Sequence, residues 1–484
     1  MKWLLLSCLS GFLLILSFPP FNLFPLAWFA FVPLFFSVQS QSRSKVVFSV
    51  IVCFLLFYLE FVRWITIFAW YGWIFAAFYL ALLTALWAWF VSPLLKNSKF
   101  SWVRLLALSF SYACLEVVFG IGTLAFPWGD LGYSQWKFLP VVQITSLVGV
   151  TGLSFLIFSC SQLLFWGIRN KKLYLLFSGC LCFIIPFVFG IIRLQEKPQR
   201  RTISTALIQT NDPESLKWSQ KAFQSSLVEL NQLILKAGKE RPDLIILPET
   251  AVTGYLNRDP VLQGLVRKWA LKTKTYLVVG TLLDKKGSPE NSLVLVNPNG
   301  FWRQKYVKVR LVPFGEYVPQ FFNPFKKYIP VLRGLVNFRA GKKFKVFHFP
   351  EGKFGTMICF ESSFGWISRK LTDRGGEFLI VSSNDAWFEG TPAQQMHASM
   401  AVFRAVENKR SFLQVGNTGI SCAINPYGKI IVWQKPETRA VVMAKIPLET
   451  GLTVYDKIGG FLPYFWIFGF LVLIGLTAFQ DRKV

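Results

Sequence analysis

A chain of 484 residues that is 53% hydrophobic and 17% aromatic is too apolar to be soluble throughout. Its formal charge of +27 comes largely from short basic clusters beside apolar runs, where anionic headgroups would meet them, and no nucleic-acid-binding motif accompanies them. The eight cysteines form no CxxC pair, and with two histidines in the whole chain neither a metal site nor a cofactor is expected.

In chain order, apolar runs able to cross about 30 Å of hydrocarbon cover residues 3–18, 20–38, 45–62, 72–95, 103–121, 141–168, 173–193 and 460–479, which predicts eight membrane helices. No small-x-small cleavage site follows the first run, and Pro19 and Pro20 lead straight into the second, so the first is read as a retained span. With the first residues in the cytoplasm, alternation puts Arg43 and Lys45, Lys96 and Lys99, and Arg169, Lys171 and Lys172 on the cytoplasmic side. The large polar region then lies outside the cytoplasm. The expected organisation is seven transmembrane helices over 1–195, a catalytic domain over 200–450, and a last helix with a cytoplasmic tail over 456–484. Pro127, Trp128, Gly129 and Tyr133 in the loop of residues 119–143 predict aromatic packing at the membrane surface or an ordinary interfacial turn.

Beyond Thr202 the pattern changes to short β-rich runs at 204–208, 244–247, 276–280, 292–296, 355–359 and 379–382. Helical periodicity appears between them at 220–237 and 393–408, which predicts a layered α/β domain. Three polar residues sit just after or near β-like stretches: Glu249 after Ile245, Ile246 and Leu247, Lys308 after Tyr306 and Val307, and Cys359 after Met357 and Ile358. Strand ends are where layered α/β folds place their chemistry.

Cys359 and Cys422 are the cysteines of the charged region; the other six lie in apolar runs and read as small buried hydrophobes. A thiol with an ordinary pKa of about 8.5 needs a base to act as a nucleophile at neutral pH. His348, in an alternating run, and His397, on a predicted helix, read as packing residues. Glu249, held after an apolar strand and Pro248, is the candidate base, and Lys308 is a cation able to favour a thiolate and an oxyanion. Taken singly, each could equally be a cap, a solvated charge or a core residue.

Together, residues 247–250, Lys308 with 311–319, and 358–361 resemble the three signatures of the nitrilase superfamily. Residues 311–319 and 383–388, with Phe126, Pro127, Trp128 and 132–135, resemble more narrowly the apolipoprotein N-acyltransferases. That resemblance implies a multi-span helical membrane domain plus a nitrilase-like αββα sandwich outside the cytoplasm. It implies Glu249 as general base, Lys308 as electrostatic stabiliser and Cys359 as nucleophile. Glu316 and Glu361 would be supporting carboxylates orienting Lys308 or the incoming amine, and Phe360 stands where the family often has Tyr. Thr210 in place of Gly and Met396 in place of Gln are further departures, at flanking positions. The implied reaction moves a fatty acyl group from a phospholipid, through a thioester on Cys359, to a diacylated apolipoprotein, in a monomer of the bacterial inner membrane with its catalytic domain on the periplasmic side. A membrane-tethered amidase with the same triad is the alternative enzyme. A transporter is disfavoured because Glu60 and Glu116 are among the few charges in the spans.

Overall fold

The computed structural model describes residues 2–97, 99–213, 220–329, 334 and 336–482; Met1, Lys483 and Val484, all within the expected domain ranges, lie outside them. The chain divides into two units, Met1–Glu196 with Lys457–Val484, and Lys197–Asp456.

Among the described residues of the first unit, six helices are long and apolar enough to cross a membrane: Arg43–Phe61, Trp70–Leu95, Trp102–Phe119, Thr145–Asn170, Leu173–Arg193 and Leu462–Gln480. The two leading runs fold as shorter apolar helices. The first is a 16-residue helix, Lys2–Ser17, which at 1.5 Å per residue spans about 24 Å. The second divides into a 3-10 turn, Phe24–Trp28, and a helix, Val32–Val38, each with a proline at its start. Proline lacks the N–H that would carry a continuous helix through these points.

These short helices are held by polar and small residues. Ser7, Ser10, Gly11, Leu14 and Ser17 form the buried stripe of Lys2–Ser17, at helical spacing. Ser7 Oγ lies 2.7 Å from Ser37 Oγ, and Leu34 N donates to Ser10 Oγ at 2.8 Å. A Cβ on Gly11 would stand 2.5 Å from Cys53 O, so glycine permits the close approach.

The 119–143 loop packs aromatic rings within this unit, with Trp128 stacked on Trp64 at 5.6 Å. Trp128, Leu131, Tyr133, Gln135 and Trp136 are buried. Gln135 accepts from Trp28 Nε1 at 3.0 Å and donates to Phe24 O at 2.9 Å, while Glu116 Oε1 accepts from Leu131 N at 2.8 Å. Non-helical backbone inside an apolar unit needs such partners, which gives Glu116 a structural task.

The second unit is two stacked sheets between helices. Strands β1 (Thr202–Gln209), β2 (Leu244–Ile246), β3 (Val252–Tyr255), β4 (Tyr276–Lys285), β5 (Ser288–Val296), β6 (Trp302–Val307) and β13 (Ala440–Pro447) form one sheet, ordered β13-β1-β2-β4-β5-β6 with β3 on β4. Strands β7 (Val346–Phe349), β8 (Gly352–Ile358), β9 (Phe378–Ser383), β10 (Ser411–Gly416), β11 (Ser421–Ile424) and β12 (Ile430–Gln434) form the other, ordered β12-β11-β10-β9-β8-β7. The parallel core strands β2, β9 and β10 are buried at every residue, as strands covered on both faces must be. All six β-rich runs read from the sequence fall on these strands, although β2 stops one residue short of Leu247 and β8 one short of Cys359.

Helices Gln220–Lys239 and Pro260–Thr273 cover the first sheet through Leu230, Ile234, Val266 and Trp269, packed on Ile208, Ile245, Val279 and Val294. Asp259 caps the second of these helices, accepting from Val261 N at 2.8 Å, with Pro260 at the first turn. β1 pairs antiparallel with β13 from Thr202↔Pro447 to Gln209↔Ala440, so the chain enters and leaves the unit on neighbouring strands. This is the nitrilase-like αββα sandwich.

Candidate active site

Four strand ends converge. β2 runs on through Leu247 and Pro248 to Glu249; Leu247 N donates to Val278 O at 2.9 Å, and Ser382 Oγ, from the other sheet, donates to Leu247 O at 2.9 Å. Thr250 turns the chain with φ +48, and a Cβ on Gly280 would stand 2.0 Å from Pro248 O. Only glycine at 280 admits this turn. The Glu249 carboxylate accepts from Asn291 Nδ2 at 2.6 Å, Lys308 Nζ at 3.1 Å and Asn384 N at 2.8 Å.

Lys308 follows β6 and is 1% exposed. Its backbone is fixed on both sides, donating to Asn291 O at 2.9 Å and accepting from Gly341 N at 2.8 Å. Its ammonium bridges Glu249 and Glu316 at 3.1 and 3.0 Å. Burial opposes the charge, but the two carboxylates outweigh it and hold the Lys308 pKa above its ordinary value. Glu316 also accepts from Asn291 Nδ2 at 2.9 Å and Val312 N at 2.8 Å, which makes it an orienting partner of Lys308.

Glu361 is placed differently from the expectation that it orients Lys308 or the amine. It accepts from Val309 N at 2.8 Å and Arg310 N at 3.0 Å, just after Lys308, from Ile358 N at 2.8 Å, just before Cys359, and from Tyr306 Oη at 2.7 Å. One carboxylate thus staples the two turns that carry the lysine and the cysteine. Burial pushes it up to about 7 against these hydrogen bonds.

Cys359 opens a 3-10 turn, Cys359–Ser363, with φ +49, a left-handed conformation that costs a non-glycine residue energy and recurs where function demands it. Burial, then Glu249, hold its thiol well above the ordinary value, while Lys308 pulls the other way, as does a hydrogen bond with Ser383. Burial, with the Glu249 charge beside it, leaves the thiol protonated at rest, so a base must act as the sulfur attacks. The Phe360 ring packs edge-on against Phe364 at 5.1 Å.

Sequence reasoning missed Asn291, Ser383, Asn384 and Asp385 as partners, and took His397 for packing. Asn291 is shared by Glu249 and Glu316. His397 is buried against Asp385 and the Cys359 turn. Thr210, a departure from the family pattern, donates to Asn417 Oδ1 at 2.6 Å, and Asn417 donates in turn to Asn384 Oδ1 at 2.8 Å. His348 is exposed on β7. Among the described residues no group of His, Cys, Asp and Glu side chains is placed to hold a metal.

The family model for carbon-nitrogen hydrolase matches residues 204–453, and that for the apolipoprotein N-acyltransferase N-terminal domain matches residues 10–163. The apolipoprotein N-acyltransferase of Geobacter metallireducens is 32% identical over 99% of this chain and 96% of its own, and that of Thermotoga maritima 30% identical over 98% and 93%. Among solved structures, Saccharomyces cerevisiae Nit3, of branch 10 of the nitrilase superfamily, aligns at a TM-score of 0.40 with 20% identity, over 52% of this chain and 92% of its own. Matched from end to end at such identities, the chain belongs to the apolipoprotein N-acyltransferase family.

Proposed function

We propose that Cys359 is the nucleophile, Glu249 the general base and Lys308 the oxyanion stabiliser of an N-acyl transfer from phospholipid to lipoprotein. The observation that carries this is the buried Glu249–Lys308–Glu316 chain beside a strained, buried cysteine. Glu249 takes the thiol proton as sulfur attacks the acyl ester carbon, and Lys308 faces the charge on the tetrahedral oxygen. The intermediate collapses to a thioester, and the lysophospholipid leaves with the proton returned by Glu249. The free α-amine of a diacylglyceryl-cysteine then attacks the thioester carbon and gives a proton to Glu249. The sulfur departs and recovers it.

A multi-pass membrane protein of this family meets both substrates in lipid. The loop that carries Glu316 exposes Phe321, Phe325 and Tyr328, an aromatic surface suited to acyl chains. The basic clusters at Arg43–Lys45, Lys96–Lys99 and Arg169–Lys172 support an inner-membrane enzyme with its catalytic unit on the periplasmic side. An even number of spans results whether the two short leading helices both cross or neither does. A monomer suffices for this site, since every residue named belongs to one chain.

Incubating the purified protein with phospholipid alone and recording intact mass tests the assignment. The expected result is a hydroxylamine-labile gain of one fatty acyl group on the wild type and none on Cys359→Ala. An unmodified wild type with intact lipid would reject acyl transfer and favour a tethered amidase, detectable by ammonia release from small amides. Gly280→Ala is expected to slow adduct formation about 100-fold by displacing the Pro248–Thr250 turn, since small misplacements of a catalytic group cost that much. An unchanged rate in that variant would mean that the position of Glu249 is not set there.

A further inference from the structure

The Asp385 turn after β9 and the helix Ala393–Asn408 bring a second set of buried polar groups to the backbone of Cys359. His397 is 1% exposed. Its Nδ1 lies 3.1 Å from Asp385 Oδ1, and its Nε2 lies 2.9 Å from Ser362 Oγ and 3.3 Å from the carbonyl oxygen of Cys359 itself. Ser362 donates its hydroxyl proton to that same carbonyl at 3.0 Å. A carbonyl only accepts, and Ser362 has one proton to give, so Nε2 must donate; a carboxylate only accepts, so Nδ1 must donate as well. We propose that His397 is a permanent imidazolium, paired with Asp385, that holds the nucleophile's turn and keeps Asp385 neutralised as charge develops on sulfur. This rests on Cys359 being the nucleophile, as argued above.

Two further features fit. Ser383 donates to Asp385 Oδ1, and its hydroxyl also favours the charged form of the Cys359 thiol. When the thiol loses its proton to Glu249, the Ser383 hydroxyl can swing its hydrogen from Asp385 to the sulfur, and Asp385 stays neutralised by His397. Asp385 Oδ2 faces Gly419, where a Cβ would come within 2.2 Å, so the traffic runs through Oδ1. The charged groups facing the ring are Asp385 and, farther off, Glu249; burial alone would favour the neutral ring, but these carboxylates raise the His397 pKa. His397 is thus a positioning residue, acting through Cys359.

The chain has two histidines, which makes the test clean. Nitrogen NMR of histidine-labelled full-length protein in detergent, with His348→Gln to assign the pair, is expected to show His397 protonated on both nitrogens across neutral to mildly alkaline pH. A singly protonated ring at neutral pH would overturn the proposal, whatever the role of Cys359. His397→Gln places an amide N–H where Nε2 was, keeping the turn but not the charge. It is expected to form the acyl-enzyme about tenfold more slowly, the worth of a charge-assisted hydrogen bond, with an unchanged KM for phospholipid. Alkylation of its Cys359 by iodoacetamide is expected to require higher pH. Full wild-type rates in His397→Gln would reduce the residue to a neutral prop and reject the charge. If instead Cys359→Ala still gains an acyl group, the nucleophile assignment fails, and the NMR result stands apart from it.

Discussion

Lys308→Met is expected to slow acyl-enzyme formation by about a thousandfold or more, the scale of losing a preorganised group at an oxyanion. Methionine fills nearly the same volume, so the change removes charge and leaves packing. Glu249 and Glu316, whose ammonium stood 3.1 and 3.0 Å away, are then left as two buried carboxylates sharing Asn291. Breaking a buried pair in this way costs roughly 3–5 kcal/mol. Thermal unfolding of the variant beside the wild type would reveal that loss. Because Lys308 lowers the Cys359 pKa, alkylation of the variant should also move to higher pH. A variant that acylates at the wild-type rate would remove Lys308 from the chemistry.

Glu249→Gln is expected to lose a factor of about 100–10,000 in acyl-enzyme formation, the usual worth of a general base. Its effect on the resting thiol should run the opposite way. Glu249 raises the Cys359 pKa, so neutralising it makes the thiol more acidic and shifts alkylation by iodoacetamide to lower pH. A cysteine that alkylates more readily while transferring acyl groups far more slowly is the signature of a base whose charge also suppresses its nucleophile. If alkylation and transfer fell together, the substitution would have disturbed the turn at Thr250, and Glu249 would be a structural cap.

Glu249 and Cys359 were legible because each lies at the end of an apolar run that announces a strand, Leu244–Ile246 and Gly352–Ile358, and Lys308 because it follows Tyr306 and Val307 at the end of the otherwise mixed strand Trp302–Val307. Their supporting groups were not. Asn291 sits inside β5, 42 residues from Glu249 and 25 from Glu316, with nothing local to mark it. His397 lies on a helix with apolar neighbours, 38 residues from the carbonyl it meets, and only the fold brings them together. Glu361 was singled out, but spacing could not show that it binds backbone on both sides of the site. Hydropathy reads the second run as one apolar segment because it sums apolar residues and is blind to Pro25 and Pro33, which divide it. The edge strand β12 escaped because its residues are half exposed and carry little pattern.

The helix Leu462–Arg482 belongs with the first unit, where Trp466 stacks on Phe155 at 5.3 Å, yet it is encoded after the whole of Lys197–Asp456. During synthesis the membrane bundle must therefore wait, one helix short, while some 260 residues of sandwich emerge. The order of emergence is thus fixed by the chain itself: catalytic unit first, final helix last.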